Sequence, residues 1–337
     1  HESLFKSACT AEYATFFAAG MVTRNERNAI IQHGTMSLVR RDVLEAVGGW
    51  AEWTITEDAE LGLRILAAGH QSVYLNERFG QGVSPDRFSD YAAQRFRWAF
   101  GAMQIMRAHA RLLLGRTGDR LTAGQRYHYV AGWLPWLADG LNFVVSLLAI
   151  GWSILMAVYP THLTVPSALW TLPPLALFVL RLLKALDLQF NCNRVGLDRA
   201  LLGTLAGLAL TFTVGRAVLS ACVRSDMPFV RTPKHARPDG LIAAVRGVRA
   251  ELLLAMALVC CAAATRHLIP SGGIDALLWS GLLLVLALPH FSALGLAVAG
   301  TLNGVGKAQR LPPAVERVPA TEPEFEQRCR SDHARSE

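Results

Sequence analysis

The sequence is short of the features that would assign its class at once. It has only six cysteines, Cys9, Cys192, Cys222, Cys260, Cys261 and Cys329. None has metal-ligand spacing, and the adjacent pair at 260 and 261 lies inside an apolar run, which argues against both a zinc site and a disulfide framework. Small buried thiols are the expectation. No internal repeat is present, which excludes solenoid and propeller architectures. The formal charge is +7, yet the Lys and Arg residues form no aromatic-interleaved patch and carry no binding motif, so nucleic acid is excluded as a partner. The basic residues instead lie beside long apolar stretches, as the cytoplasmic flanks of membrane helices do.

Those stretches dominate what is there. Hydrophobic residues make up 52% of the 337-residue chain, and they are unevenly spread. Residues 1–130 have the mixed composition of a soluble domain. Apolar runs follow at 133–158, 166–183, 200–223, 251–269 and 274–300, several long enough to cross a bilayer as helices. A segment rich in Pro, Glu and Arg, 301–337, is expected to be a disordered cytosolic tail. Length alone suggests about two domains, and composition separates a soluble part from a membrane region at 131–300.

In the soluble part, "NAIIQHGTMSLVRRDVLEAVGGW" predicts an extended segment and a short helix over 41–47, stopped by Gly48-Gly49. "TITEDAELGLRI" places Glu57, Asp58 and Glu60 at the start of a helix ending near Gly69. Thr54 or Thr56 could cap that helix, and acids suit its first turn. Asp58 shares a stripe with Leu61 and Ile65, whereas Glu57, Glu60 and Arg64 share a polar face. A carboxylate heading a buried stripe is partly desolvated and suited to accept a proton. "HQSVYLNE" alternates as a short strand, and a helix is predicted over 87–114. The order strand, helix, helix, strand, helix points to an α/β domain. The last helix carries "QRFRW", in which Gln94, Arg97 and Trp98 sit at i, i+3 and i+4 on one face. They could be a core Trp with a snorkelling Arg and a solvated Gln, or a surface for a sugar beside a phosphate: a flat apolar ring, an amide for hydroxyls and a guanidinium fork. His33 alone reads as structural.

Thr56-Glu57-Asp58, then Gln94-Arg95-Phe96-Arg97-Trp98, then a multi-helix membrane region resembles the family 2 processive glycosyltransferases of the cellulose synthase type, with their TED and QxxRW motifs. "PFVRTPK", residues 228–234, is similar to the FxVTxK gating loop of bacterial cellulose synthases: Phe229, Thr232 and Lys234 match, with Arg231 between. The resemblance covers roughly residues 30–300. It implies a partial GT-A-like α/β domain followed by an α-helical transmembrane region. The implied reaction is inverting transfer from a UDP-sugar to a growing glucan, which passes through the membrane helices. The local wording "NERNAIIQHGTM" favours UDP-glucose. Asp58 is then the general base and Glu57 orients it or caps the helix. Trp98 and Gln94 bind the acceptor, and Arg97, Lys234, Thr232 and Arg231 face the diphosphate. Mg²⁺ or Mn²⁺ is expected on the diphosphate.

The family's two upstream aspartate motifs are missing, and the first 30 residues contain no aspartate. The chain is therefore expected to be the C-terminal portion of a longer enzyme, inactive in isolation, with the metal ligands outside it. Charge and parity predict four spans, 133–158, 166–183, 251–269 and 274–300, with 200–223 interfacial and the gating-type loop, 224–240, on the cytosolic side of a bacterial inner membrane. Two other readings stay open: a non-processive glycolipid glycosyltransferase, and a non-enzymatic membrane scaffold.

Overall fold

The computed structural model describes residues 3–77, 79–80, 82–228, 239–268 and 273–302. Among them the chain is helical. The helices are α1 (Leu4–Thr15), α2 (Val22–Asn25), α3 (Arg41–Ala46), α4 (Glu57–Ala67), α5 (Phe88–Ala108), α6 (Ala110–Leu113), α7 (Ala123–Val158), α8 (Ala168–Asp187), α9 (Leu197–Ala209), α10 (Thr211–Val223), α11 (Leu241–Gly247), α12 (Arg249–Leu268) and α13 (Gly273–Leu302). π-helical turns at Phe16–Met21 and Leu188–Cys192 extend α1 and α8.

The α/β expectation is not met among these residues, where no strand forms. The alternating segment 71–76 is extended but has no partner strand. Its backbone is tied down by side chains instead: Ser72 N–H donates to Asn28 Oδ1 at 2.7 Å and Tyr74 N–H to Asn25 Oδ1 at 2.7 Å. Alternation signals a half-buried extended chain, but a ladder also needs a neighbour, and none lies within the described residues.

Among the described residues, five helical segments are long and apolar enough to cross a membrane by length and composition: Ala123–Val158, Ala168–Cys192, Leu197–Val223, Arg249–Leu268 and Gly273–Leu302. Leu197–Val223 differs from the rest. It is broken at Leu210 into α9 and α10, and 67% of its most apolar window is buried by the protein, against 22% for Ala123–Val158 and 11% for Ala168–Cys192. α9 packs on α1, and α10 packs on α5 and α7. α12 and α13 form a hairpin, with α13 also against α8 and α9.

Two cores result. One joins the soluble part to the membrane helices through Phe5, Leu63, Leu66, Tyr91, Phe100, Tyr129, Trp133, Val214 and Val218. The other, around Met156, Leu258, Trp279, Leu282 and Leu286, lies between α7, α12 and α13. The cysteine expectation fails for most sites: Cys9 is buried, but Cys192, Cys222 and Cys260 are exposed and Cys261 is half-buried. Apolar helices with few partners leave small side chains on their outer faces.

Candidate active site

α4 begins where predicted, at Glu57 after an N-cap Thr56. Its cap is not the expected one, because the Thr56 side chain makes no capping bond. Thr54 instead donates to Gln104 Oε1 on α5 at 3.2 Å, and Ile55 N–H donates to the same oxygen at 3.3 Å. Gly101 completes this contact. A Cβ there would fall 2.2 Å from Thr56 Oγ1, so only glycine lets the start of α4 lie directly on α5. That crossing sets the TED acids beside the helix that carries QRFRW.

The acids of α4 separate by environment. Glu60, expected on a polar face, is buried at 2% exposure and takes an ion pair from Arg64 (2.8 Å) and a hydrogen bond with His109 (2.9 Å). Burial alone would raise its pKa, but the His109 and Arg64 bonds outweigh this and hold it low. Asp58 has no such cation. Its Oδ1 accepts from Ala59 N–H at 2.8 Å. Burial pushes its pKa up to about 6, the Ala59 bond opposes the rise, and the Glu57 charge adds to it. Glu57 thus acts on Asp58 through its charge. Gly34, at φ +66°, packs on the Asp58 carboxylate so closely that a Cβ would meet Oδ2 at 2.8 Å. A side chain there would be strained and would displace the acid.

Asp58 lines a cavity of about 620 Å³ with Tyr13, Phe16, His33, Trp98, Trp133 and Trp136, reaching Asp139 and Arg181 on the membrane helices α7 and α8. Trp98 is half-buried in its wall, tilted against Tyr13 at 5.7 Å, with the Arg95 guanidinium 4.3 Å from its ring centroid. Arg95 is the residue of QRFRW that sequence reasoning passed over. It is 6% exposed and paired with Glu12, which also accepts from Tyr91 Oη at 2.8 Å. Burial opposes its charge, but Glu12 and Tyr91 together more than compensate and raise its pKa. Deeper in, Arg181 pairs with Asp139 at 2.5 Å and donates to Thr211 Oγ1 at 3.3 Å. The signal for Asp139 and Arg181 was in the sequence, since charges inside apolar runs mark functional positions.

Several cavity-lining polar atoms are shielded from solvent yet have no hydrogen-bond partner among the described residues: Arg24 Nε and Nη1, Gln32 Oε1, His33 Nδ1, Arg95 Nη1 and Thr204 Oγ1. A buried group left unpaired costs about 1–3 kcal/mol.

Arg97 does not join Trp98. It lines a second cavity of about 750 Å³, with Arg87, Arg216, Met227, Asp239, Arg249 and Glu251. Successive helical residues point 100° apart, so α5 forms a wall that presents Trp98 on one side and Arg97 on the other. Gln94 is half-buried and lines neither cavity. Arg231, Thr232 and Lys234 lie outside the described residues. Met227 and Asp239, on either side of that segment, both line the Arg97 cavity. Among the described residues no group of three or more His, Cys, Asp or Glu could hold a metal ion.

The chain is 36% identical over 98 residues to the cellulose synthase catalytic subunit (UDP-forming) of Komagataeibacter sucrofermentans, covering 29% of this chain and 12% of that protein. It is 37% identical over 103 residues to the corresponding subunit of Xanthomonas axonopodis pv. citri, covering 31% and 14%. It is 35% identical over 118 residues to putative cellulose synthase 2 of Komagataeibacter xylinus, covering 34% and 8%. The matched segments are thus a small part of those relatives' length. The family model described as glycosyl transferase family group 2 matches residues 3–183, more than half of the chain, and this protein therefore belongs to that family.

Proposed function

We propose that this chain forms the acceptor and membrane half of a processive inverting glycosyltransferase that elongates a β-glucan from UDP-glucose. One observation carries the reading. The cavity that holds the Asp58 carboxylate runs between Trp98, Trp133 and Trp136 to an ion pair on the membrane helices. A lipid-linked acceptor would also reach the membrane, but indole rings and an ion pair along the inner part of the cavity suit sugar faces and hydroxyls rather than acyl chains. The names of the similar proteins support the polymer and the UDP donor.

In the proposed reaction an acceptor hydroxyl attacks the anomeric carbon of the donor and the nucleoside diphosphate departs from the opposite face. Asp58 takes the hydroxyl proton, and base catalysis of this kind contributes about 10²–10⁴-fold. Trp98 stacks on the terminal sugar, and Gln94 is proposed to support the acceptor from the same helix. Arg97, with Arg231, Thr232 and Lys234 of the following loop, is proposed to offset the charge of the departing diphosphate. Mg²⁺ or Mn²⁺ on the diphosphate belongs to the same proposal, with ligands other than the described residues.

The test is Asp58→Asn in the full-length enzyme reconstituted in lipid. Polymer synthesis should be lost while UDP binding is retained. Substantial polymer from the purified variant would overturn the assignment.

A further inference from the structure

Gln104 lies deep in α5, 5% exposed, and its amide is hydrogen-bonded at both ends. Oε1 accepts from Thr54 Oγ1 at 3.2 Å and from Ile55 N–H at 3.3 Å. Nε2 donates to the Ser225 carbonyl at 2.7 Å and, more weakly, to the Trp53 carbonyl at 3.5 Å. The Ile55 N–H faces the oxygen and two carbonyls face the nitrogen, so a flipped amide would lose these bonds. One side chain thereby joins α5 to the segment that leads into Asp58 and to the segment that leaves α10. One turn further along the same face of α5, Arg107 donates to the Ala221 and Arg224 carbonyls. The end of α10 is therefore held from α5 as well.

We propose that Gln104 is a positioning residue: its single amide sets the approach to Asp58 and the entry to the 224–240 loop in one frame, so that base and loop act in register on one donor. The inference rests on the proposed reading of Asp58 as the base and of that loop as serving the diphosphate. Gln104 acts through the backbone on both sides. The Ile55 N–H is fixed just before Thr56, which packs on Gly101, and Asp58 follows in the first turn of α4. On the other side, Ser225 leads to Met227 in the wall of the Arg97 cavity. A base must lie within hydrogen-bond reach of the proton it takes, and a misplacement of about 1 Å lowers rates by up to about 100-fold. An amide that only braced α4 would not need the Ser225 carbonyl, yet that is the shortest of its bonds.

The experiment compares wild-type, Gln104→Met and Gln104→Glu full-length enzyme in lipid, with kcat, both KM values and UDP inhibition measured for each. Methionine keeps the length and removes the amide bonds. Glutamate keeps an acceptor toward Thr54 and Ile55 but, ionised, has no donor for the Ser225 carbonyl. Gln104→Met should lower kcat about 10- to 100-fold and weaken UDP inhibition about fivefold, with the acceptor KM near wild type. Gln104→Glu should weaken UDP inhibition with a smaller loss of kcat, and it carries the comparison if the Met variant does not fold. The deciding measurement is the double variant with Lys234→Gln. If Gln104 delivers the loop, losing Lys234 should matter less once the amide is gone, so the two effects on UDP inhibition should be less than additive. A merely structural Gln104 would lower the thermal midpoint and give additive effects. Additivity, or kcat and UDP inhibition at wild-type values, would overturn the proposal. Lys234→Gln alone separates the two readings. If it leaves UDP inhibition unchanged, the loop reading fails and the coupling fails with it; if it weakens inhibition but adds to Gln104→Met, only the role of Gln104 fails.

Discussion

Asp58 shows how one carboxylate among three comes to differ chemically. Glu60 is buried but neutralised by Arg64 and His109, whereas Asp58 is shielded with only a backbone N–H for support. A carboxylate held at about 6 is ionised at neutral pH yet basic enough to accept a proton efficiently. Polymer synthesis should therefore fall as pH drops through about 6, to roughly a tenth one unit lower, and a pH–rate profile checks this. His33→Phe should keep that limb, which distinguishes Asp58 from the imidazole. The same shift has a stability consequence. Because the folded pKa lies above the unfolded one, this group's stabilising contribution is complete below the ordinary aspartate range and is lost as pH rises through about 6. Asp58→Asn should accordingly raise the thermal midpoint in detergent above pH 7 and lose that advantage near pH 4. A variant more stable and less active would fit a site that holds an unfavourable charge for function.

At the scale of the element, α5 does the most to organise the site. Gly101 lets the start of α4 rest on it, Gln104 ties it to residues 54–55 and, at 2.7 Å, to the Ser225 carbonyl, and its two faces address two cavities. Substitutions one residue apart should therefore have different kinetic effects. Trp98→Ala should raise the acceptor KM or shorten the polymer while UDP inhibition stays near wild type. Arg97→Ala should weaken UDP inhibition and leave the acceptor KM largely unchanged. Steady-state kinetics with each substrate varied decides it, and equal effects on both substrates would mean that α5 does not separate two sites. The buried Arg95–Glu12 pair beneath Trp98 is support for this wall, and removal of one partner from such a pair costs about 3–5 kcal/mol.

For the whole molecule the question is which segments cross the bilayer. Length and composition admit Leu197–Val223 as a fifth span, whereas charge and parity argue for an interfacial position. Leu197–Val223 is broken at Leu210 and packs on α1 and α5 but also on α7 and α13, so burial alone fits either place, and we propose the interfacial one on the charge argument. The ends of the following loop lead the same way. Ser225 is held by Gln104 of α5, and Asp239 by Arg87, the N-cap residue of α5, at 3.4 Å. We expect four spans, with 224–240 on the same side as the soluble part. A topology reporter fused after Lys234 should be active only in the cytosol; periplasmic activity would overturn both the topology and the loop's proposed role at the diphosphate.

The sequence by itself determined the helices and their ends, because spacing, acids in a first turn and terminal glycines act locally. α3, α4 and α5 fall within a few residues of the ranges read from "RRDVLEAVGG", "TEDAELGLRILAAG" and "QRFRW" with its flanks. It also supplied TED and QxxRW as neighbours in function, and the apolar runs that become the membrane helices. It did not determine what each polar residue faces. Gln94, Arg97 and Trp98 share a helical stripe only until other helices pack on α5 and divide it between two cavities. Glu60 looks solvated until His109 arrives from 49 residues away. The strand read from "HQSVYLNE", residues 70–77, does not form among the described residues for a related reason, since alternation is local but a ladder needs a partner. Desolvation and pairing are properties of what surrounds a residue, and only the tertiary structure brings those surroundings together.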